Sequence, residues 1–203
     1  MKIICIGRNY GAHAAELNNP VPEFPLVFMK PSTALLVNNK PFYLPNFSND
    51  IHFELEVVLK ICKNGRHIQV EQADSFYEEL TVGIDFTARD VQQKLKEKGH
   101  PWELAKAFDN SAVLGRFIHK DSLTEANQLK FSLLKNEEVV QNGNTSDMIF
   151  DFASIITYTS QFFKLQAGDL IYTGTPAGVG PVKIGDHLVG ILEGNPLFEC
   201  EIR

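Results

Sequence analysis

The chain has 203 residues, 44% hydrophobic and 22% charged, with a formal net charge of -6. That is ordinary globular composition, enough for one core, or one core with an appended lid, and it argues against a disordered or membrane-embedded protein. The acidic balance, with no lysine and arginine cluster along the chain, argues against nucleic acid or another polyanion as partner.

No stretch approaches the roughly 20 apolar residues of a membrane span, and the apolar start is too short for a signal peptide. A cytoplasmic protein is therefore expected. Cys5, Cys62 and Cys200 lack metal-ligand spacing and read as three buried thiols in a reducing compartment.

Residues 2–6 read as a short strand, and Gly7-Arg8-Asn9-Tyr10-Gly11 as an irregular loop. A short helix follows over 13–17, with His13 and Glu16 three apart on one face. A carboxylate beside an imidazole raises its basicity and fixes its tautomer, as a general base requires, although an exposed helical pair has the same spacing. Three prolines within 18–25 exclude regular structure there, so residues 8–25 are expected to form a mobile flap. Residues 26–31 read as a strand ending in Lys30 at a proline boundary, most simply a snorkelling lysine.

The segment Ile51-His52-Phe53-Glu54-Leu55-Glu56-Val57-Val58-Leu59-Lys60 reads as one apolar strand carrying two carboxylates on the same side. At about 3.3 Å per residue their Cα atoms lie roughly 7 Å apart. If desolvated, two such charges raise a pKa or recruit a hard divalent cation; if the strand lies at an edge, they form a solvated acidic face. A strand over 80–87 ends on Asp85, placed to supply a third oxygen ligand or to cap the helix expected over 87–96. Lys106 sits between apolar residues, where it is either desolvated beside an anion or an ordinary surface lysine.

Asn64-Gly65-Arg66 reads as a hairpin turn, 73–80 as a short polar helix and 141–144 as another turn between strands. A helix is expected within 145–163, with Ser146, Asp147 or Asp151 as its cap. Thr173-Gly174-Thr175-Pro176-Ala177-Gly178-Val179-Gly180 lacks the Gly-Lys-Ser/Thr ending of a phosphate loop, and its free amides suit a carboxylate better. Glycine and proline at this density, without a repeat period, predict a β-rich α+β domain.

Four of these segments, in this order, resemble the fumarylacetoacetate hydrolase family: Gly7-Arg8-Asn9-Tyr10 with His13; His52-Phe53-Glu54-Leu55-Glu56; Asp85 with Thr87-Ala88-Arg89-Asp90; and Thr173-Gly174-Thr175-Pro176. Together with Pro101-Trp102, Lys106 and Gly178-Val179-Gly180 they span nearly the whole chain, as in the family's short members of acylpyruvase and oxaloacetate decarboxylase type. The resemblance implies a mixed β-sandwich roll over residues 1–203 as a single domain. It implies that Glu54, Glu56 and Asp85 bind Mg2+ or Mn2+, that His13 and Glu16 form a base dyad on the flap, and that Lys106 faces the substrate. It also implies that Arg8, Lys30, Gln92 and Thr175 shape the pocket, and that the protein is a homodimer.

The activity it implies is cleavage of the C3–C4 bond of a small 2-oxo acid through a pyruvate enolate, by acylpyruvate hydrolysis or oxaloacetate decarboxylation. The alternatives are a decarboxylase or isomerase of 2-hydroxy-diene-dioates, or an oxaloacetate tautomerase. One constellation serves all of these chemistries.

Overall fold

The computed structural model describes residues 1–16, 20–123 and 128–203. At its centre is the strand Leu55–Ile61, paired antiparallel with Leu170–Tyr172 on one side and Tyr77–Asp85 on the other. Beyond Leu170–Tyr172, Ile3–Gly7 runs parallel to it and Leu26–Lys30 forms the sheet edge. On the other flank Ala112–Leu114 and then Leu35–Leu36 complete the order, with Ile118–His119 also pairing Tyr77–Asp85. Among the described residues this mixed sheet has eight strands.

A four-stranded antiparallel sheet, in the order Glu138–Asn144, Lys130–Lys135, His187–Leu192 and Asn195–Glu201, packs with it around one main core. A small third sheet joins Ile51–Phe53 to Thr87–Ala88 and Gly180–Pro181. The longer helices are Arg89–Glu97 and Phe152–Phe162. The architecture is therefore α+β, rich in strands and mixed in direction, as expected. Among the described residues no helix is long and apolar enough to cross a membrane.

The segment expected to be one strand is two. Ile51–Phe53 belongs to the small sheet and Leu55–Ile61 to the large one, and the chain changes sheets at Glu54. The break has a local cause. The Leu55 N–H, which a continuous strand would give to a neighbour, donates to the side-chain Oε1 of Gln141 at 2.9 Å, while the Glu54 carbonyl accepts from Asp85 N at 2.9 Å. The central strand is no edge either. Leu55, Val57, Leu59 and Ile61 face the main core, while Val58 packs with Ile3, Cys5 and Tyr172 in a second cluster. Burial on both faces is the pattern of an inner strand.

Elsewhere tertiary pairing overrides turn and helix signals. Gly65 pairs with Leu165 instead of turning a hairpin, because the main-chain groups of His67 and Ile68 donate to Ser160. The helix expected over 73–80 is instead Val70–Ala73 and a 3-10 turn, after which Tyr77 starts a strand. Gln141 to Asn144 continue a strand, paired with Lys130–Lys135. The last helix starts at Phe152, and Asp151 caps it by accepting from Ser154 N at 2.8 Å. The helix after Asp85 has Ala88 at its N-cap and no side-chain cap bond, so Asp85 does not cap it.

Candidate active site

Glu54 sits at the sheet change, Glu56 on the central strand and Asp85 at the end of the neighbouring strand. Antiparallel register sets Glu56 opposite Gly83 and Leu55 opposite Ile84, which brings Asp85 beside Glu54. One carboxylate oxygen from each of the three lies within 4.8 Å of the others, and all three side chains are buried. Two oxygens bound to one hard cation at 2.0–2.6 Å lie no more than about 5 Å apart, so this donor set fits a single divalent ion.

Three cations neutralise the acids. The Lys106 ammonium reaches Glu54 Oε2 and Asp85 Oδ2, each at 2.6 Å. Arg89 reaches Glu54 Oε1 at 2.6 Å, and its other nitrogen donates to Gln92 Oε1 at 2.8 Å. Lys30 is buried, not snorkelling: it pairs with Asp85 Oδ1 at 2.7 Å and donates to Ser111 Oγ at 2.9 Å and to the Lys106 carbonyl. Charges this far from water persist only when paired and hydrogen-bonded.

The acids differ in their proton affinity. Burial pushes both up, but at Glu54 the charges of Lys106 and Arg89 outweigh it and hold the carboxyl well below the usual range. At Glu56 burial wins, reinforced by the charges of Asp85 and Glu54 and only partly opposed by the Gly174 N–H, so its pKa is raised. Burial lowers the Lys106 pKa, but Asp85 and Glu54 more than compensate and keep it a cation.

His13 lies on the short helix Gly11–Glu16 and is buried, which rules out the exposed helical pair. Its Nδ1 is 3.1 Å from Glu16 Oε2. The other oxygen of Glu16 accepts from Gly178 N at 3.1 Å, and Gly174 N donates to Glu56 Oε2 at 2.6 Å. The glycine-rich loop therefore does bind carboxylates, and they are the chain's own. Leu17, Asn18 and Asn19, inside the expected flap, lie outside the described residues.

A cavity of about 30 Å³ adjoins the cluster, lined by Arg8, His13, Glu54, Arg89, Gln92 and Lys106, with Lys96, Gly7 and the rings of Phe28 and Trp102 completing its wall. Of the residues expected to shape the pocket, Arg8 and Gln92 line it. Lys30 lies behind Asp85, and the Thr175 hydroxyl accepts from Gln141 Nε2 at 2.8 Å away from this wall. The absence of a lysine and arginine cluster in sequence misled: Arg8, Arg89, Lys96 and Lys106 converge on one cavity.

Several residues here escaped sequence reasoning. Arg89 and Lys96 stand at i and i+7 on one helix, with the expected Gln92 between them at i+3, a periodicity that could have exposed them. Gln141, hidden in an apparent turn, carries both the sheet change and Thr175. Asn9 holds the loop Thr173–Gly180 in place, its amide donating to the Phe150 and Thr173 carbonyls at 2.9 and 2.8 Å.

The arrangement can hold a divalent ion, place an imidazole and an ammonium beside it, and surround an anion with positive charge. Comparison with known proteins meets it from the outside. Residues 2–202 match the family model described as fumarylacetoacetate (FAA) hydrolase C-terminal. The chain is 41% identical over 197 residues to oxaloacetate tautomerase YcgM of Escherichia coli K12, covering 97% of this chain and 90% of that protein. It is 40% identical over 192 residues to the mitochondrial oxaloacetate tautomerase FAHD1 of Bos taurus, covering 95% and 87%. The crystal structure of Pseudomonas aeruginosa fumarylpyruvate hydrolase in complex with Mn2+ and pyruvate superposes with a TM-score of 0.94 at 35% identity, covering 100% of this chain and 89% of that one. The chain belongs to the fumarylacetoacetate hydrolase family.

Proposed function

We propose that the protein is a divalent-metal-dependent enzyme that cleaves the C3–C4 bond of short 2-oxo acids, releasing pyruvate enolate. Acylpyruvates are cleaved by hydrolysis and oxaloacetate by decarboxylation. The observation that carries this reading is the meeting of three buried carboxylates, Lys106 and the His13–Glu16 pair at one cavity. A fumarylpyruvate hydrolase of the same fold was crystallised with Mn2+ and pyruvate, which agrees with that chemistry.

Glu54, Glu56 and Asp85 would hold Mg2+ or Mn2+, which supplies Lewis-acid stabilisation of negative charge on the substrate oxygens. His13, its Nδ1 fixed by Glu16, presents its other ring nitrogen and takes a proton from water in the hydrolytic reaction. Lys106 stays cationic and supplies positive charge where the enolate oxygen develops. Arg8, Arg89 and Gln92 orient the acid. Phe28 and Trp102, their rings 6.0 Å apart, exclude water on the apolar side.

A cavity of about 30 Å³ has the volume of about one water. The short helix Gly11–Glu16 therefore moves aside to admit substrate and closes when Glu16 meets Gly178. The single catalytic domain spans 1–203 and works as a homodimer, a trait carried by the family resemblance.

One specific observation favours a second reading, that the names of the bacterial and bovine relatives are those of oxaloacetate tautomerases. A base beside an enolate-stabilising cation also moves a proton between C3 and the keto oxygen. The deciding experiment offers purified protein with Mg2+ or Mn2+ oxaloacetate, acetylpyruvate and a 2-hydroxy-diene-dioate. Metal-dependent release of pyruvate from the first two is expected. Enol absorbance changing without pyruvate release would select the tautomerase, and turnover of the diene-dioate alone the isomerase.

A further inference from the structure

The strand Glu138–Asn144 carries a bulge: Leu133 pairs with Gln141 and Leu134 with Val139, which leaves Val140 as the extra residue. A bulge bends its strand and re-aims a side chain. Here it stands beside Gln141, which is buried and bonds away from its own sheet. Its Oε1 accepts the Leu55 N–H at 2.9 Å, and its Nε2 donates to the Thr175 hydroxyl at 2.8 Å and the Pro176 carbonyl at 3.0 Å. Leu55 N–H can only donate and the Pro176 carbonyl can only accept, so one orientation of the amide serves both and the flipped one serves neither.

The loop that this amide grips also rests on the bulge itself. Gly178 has φ +97°, and a Cβ there would come within 2.5 Å of the Val140 carbonyl oxygen and 3.4 Å of Gln141 Cγ. Parts of the site lie on either side. Leu55 separates Glu54 from Glu56, while Thr175 and Pro176 lie between Gly174, whose N–H holds Glu56, and Gly178, whose N–H holds Glu16 and through it His13. Gln141 itself is not in the wall of the cavity.

We propose that Gln141 is a positioning residue whose amide sets the spacing between the acids on the sheet and the imidazole pair held by the loop, an inference that deepens the proposed function and rests on it. It acts through Leu55 on one side and through Thr175 and Pro176 on the other. Misplacement of reacting groups by about 1 Å costs on the order of 100-fold in rate, and loss of a partner behind metal ligands costs about 10–100-fold in affinity or activity.

The test compares wild type with Gln141→Met, which keeps the length of the side chain and removes its three bonds, and with Gln141→Glu, which keeps an acceptor for the Leu55 N–H. The readouts are Mn2+ affinity by calorimetry, kcat and KM for acetylpyruvate, and hydrogen exchange at the Gly178 amide. Gln141→Met should weaken Mn2+ binding about tenfold, lower kcat about 100-fold with less change in KM, and speed exchange at Gly178. Gln141→Glu should recover most of the Mn2+ affinity while kcat stays low, because an ionised carboxylate cannot donate to the Pro176 carbonyl. A glutamine that only stabilises the fold would lower Tm in the variants and leave kcat, Mn2+ affinity and Gly178 exchange unchanged below melting, and that result overturns the proposal. If Gln141→Met does not fold, Gln141→Glu decides alone: kcat and Gly178 exchange equal to those of wild type overturn it. Wild type that binds Mn2+ without hydrolysing acetylpyruvate overturns the hydrolytic reading only, since Mn2+ affinity and Gly178 exchange still decide the role of Gln141. Wild type that binds no Mn2+ overturns the metal-site reading and this proposal with it.

Discussion

Glu16 ties His13 to Gly178: one carboxylate oxygen stands 3.1 Å from the imidazole Nδ1, and the other accepts the glycine N–H at 3.1 Å. The imidazole is thereby oriented by a loop that also holds Glu56 through Gly174. His13→Ala should leave Mn2+ affinity intact and lower acylpyruvate hydrolysis by about 100-fold or more, the usual worth of a positioned base. Oxaloacetate decarboxylation, which needs no activated water, should fall less, and Glu16→Gln should follow in the same direction more mildly. The measurement is the ratio of the two activities at fixed metal; equal losses would sink the selective role of the imidazole.

Lys106 bridges Glu54 and Asp85 while facing the cavity, so it can meet developing charge without moving far. Lys106→Met should lower kcat by about 100-fold, the scale of one lost transition-state donor, with a smaller change in KM. Steady-state kinetics with oxaloacetate decides it. A variant with normal kcat and raised KM would make Lys106 a substrate anchor only.

Loss of any one acid, by Glu54→Gln, Glu56→Gln or Asp85→Asn, should weaken Mn2+ binding by at least about 100-fold, since even groups behind the ligands are worth 10–100-fold. The three differ in proton linkage. The Glu56 pKa is raised above its unfolded value, so between the two values the folded chain holds the extra proton, and metal-free stability falls as pH rises through that window. Metal uptake expels this proton, and affinity should climb with pH by up to about tenfold per unit there. Titration inside that window, in two buffers of different ionisation enthalpy, should detect proton release by wild type and also by Glu54→Gln, because Lys106 and Arg89 already keep Glu54 ionised. No proton release from wild type would mean that Glu56 is not the protonated acid.

Gly174 has φ +103°, and a Cβ there would approach Asn9 Cβ to 2.6 Å. Gly174→Ala therefore forces strain at the residue whose N–H holds Glu56. It should cost about 1–3 kcal/mol, a fall in Tm of roughly 2–12 °C for a chain of this size. Metal affinity should fall with it. A variant that melts like wild type would mean that the loop relaxes freely around the new methyl group.

Much of the site was legible because its chemistry is carried by short motifs whose spacing survives folding: Glu54 and Glu56 two apart, His13 and Glu16 three apart. The mutual placement of Lys30 and Asp85, or of Arg8 and Lys96, was not, since those pairs meet only through sheet pairing across long loops. Local signals failed where a distant partner supplied the backbone bond. Gln141 took the Leu55 N–H and cut a strand that alternation alone would continue, and Ser160 took the Ile68 N–H and undid a hairpin. In the four-stranded sheet the Asn and Gly residues at 141–144 imitate a turn and hide the end of the strand Glu138–Asn144.

The balance of charge in the cluster carries a consequence for binding. Counted formally with Glu56 protonated, Glu54 and Asp85 face Lys30, Lys106 and Arg89 with one positive charge in excess. A divalent ion that expels the Glu56 proton raises the excess to two, and a dicarboxylate cancels it. On that count a bound ion and a dianionic substrate would each raise the affinity for the other by the same factor.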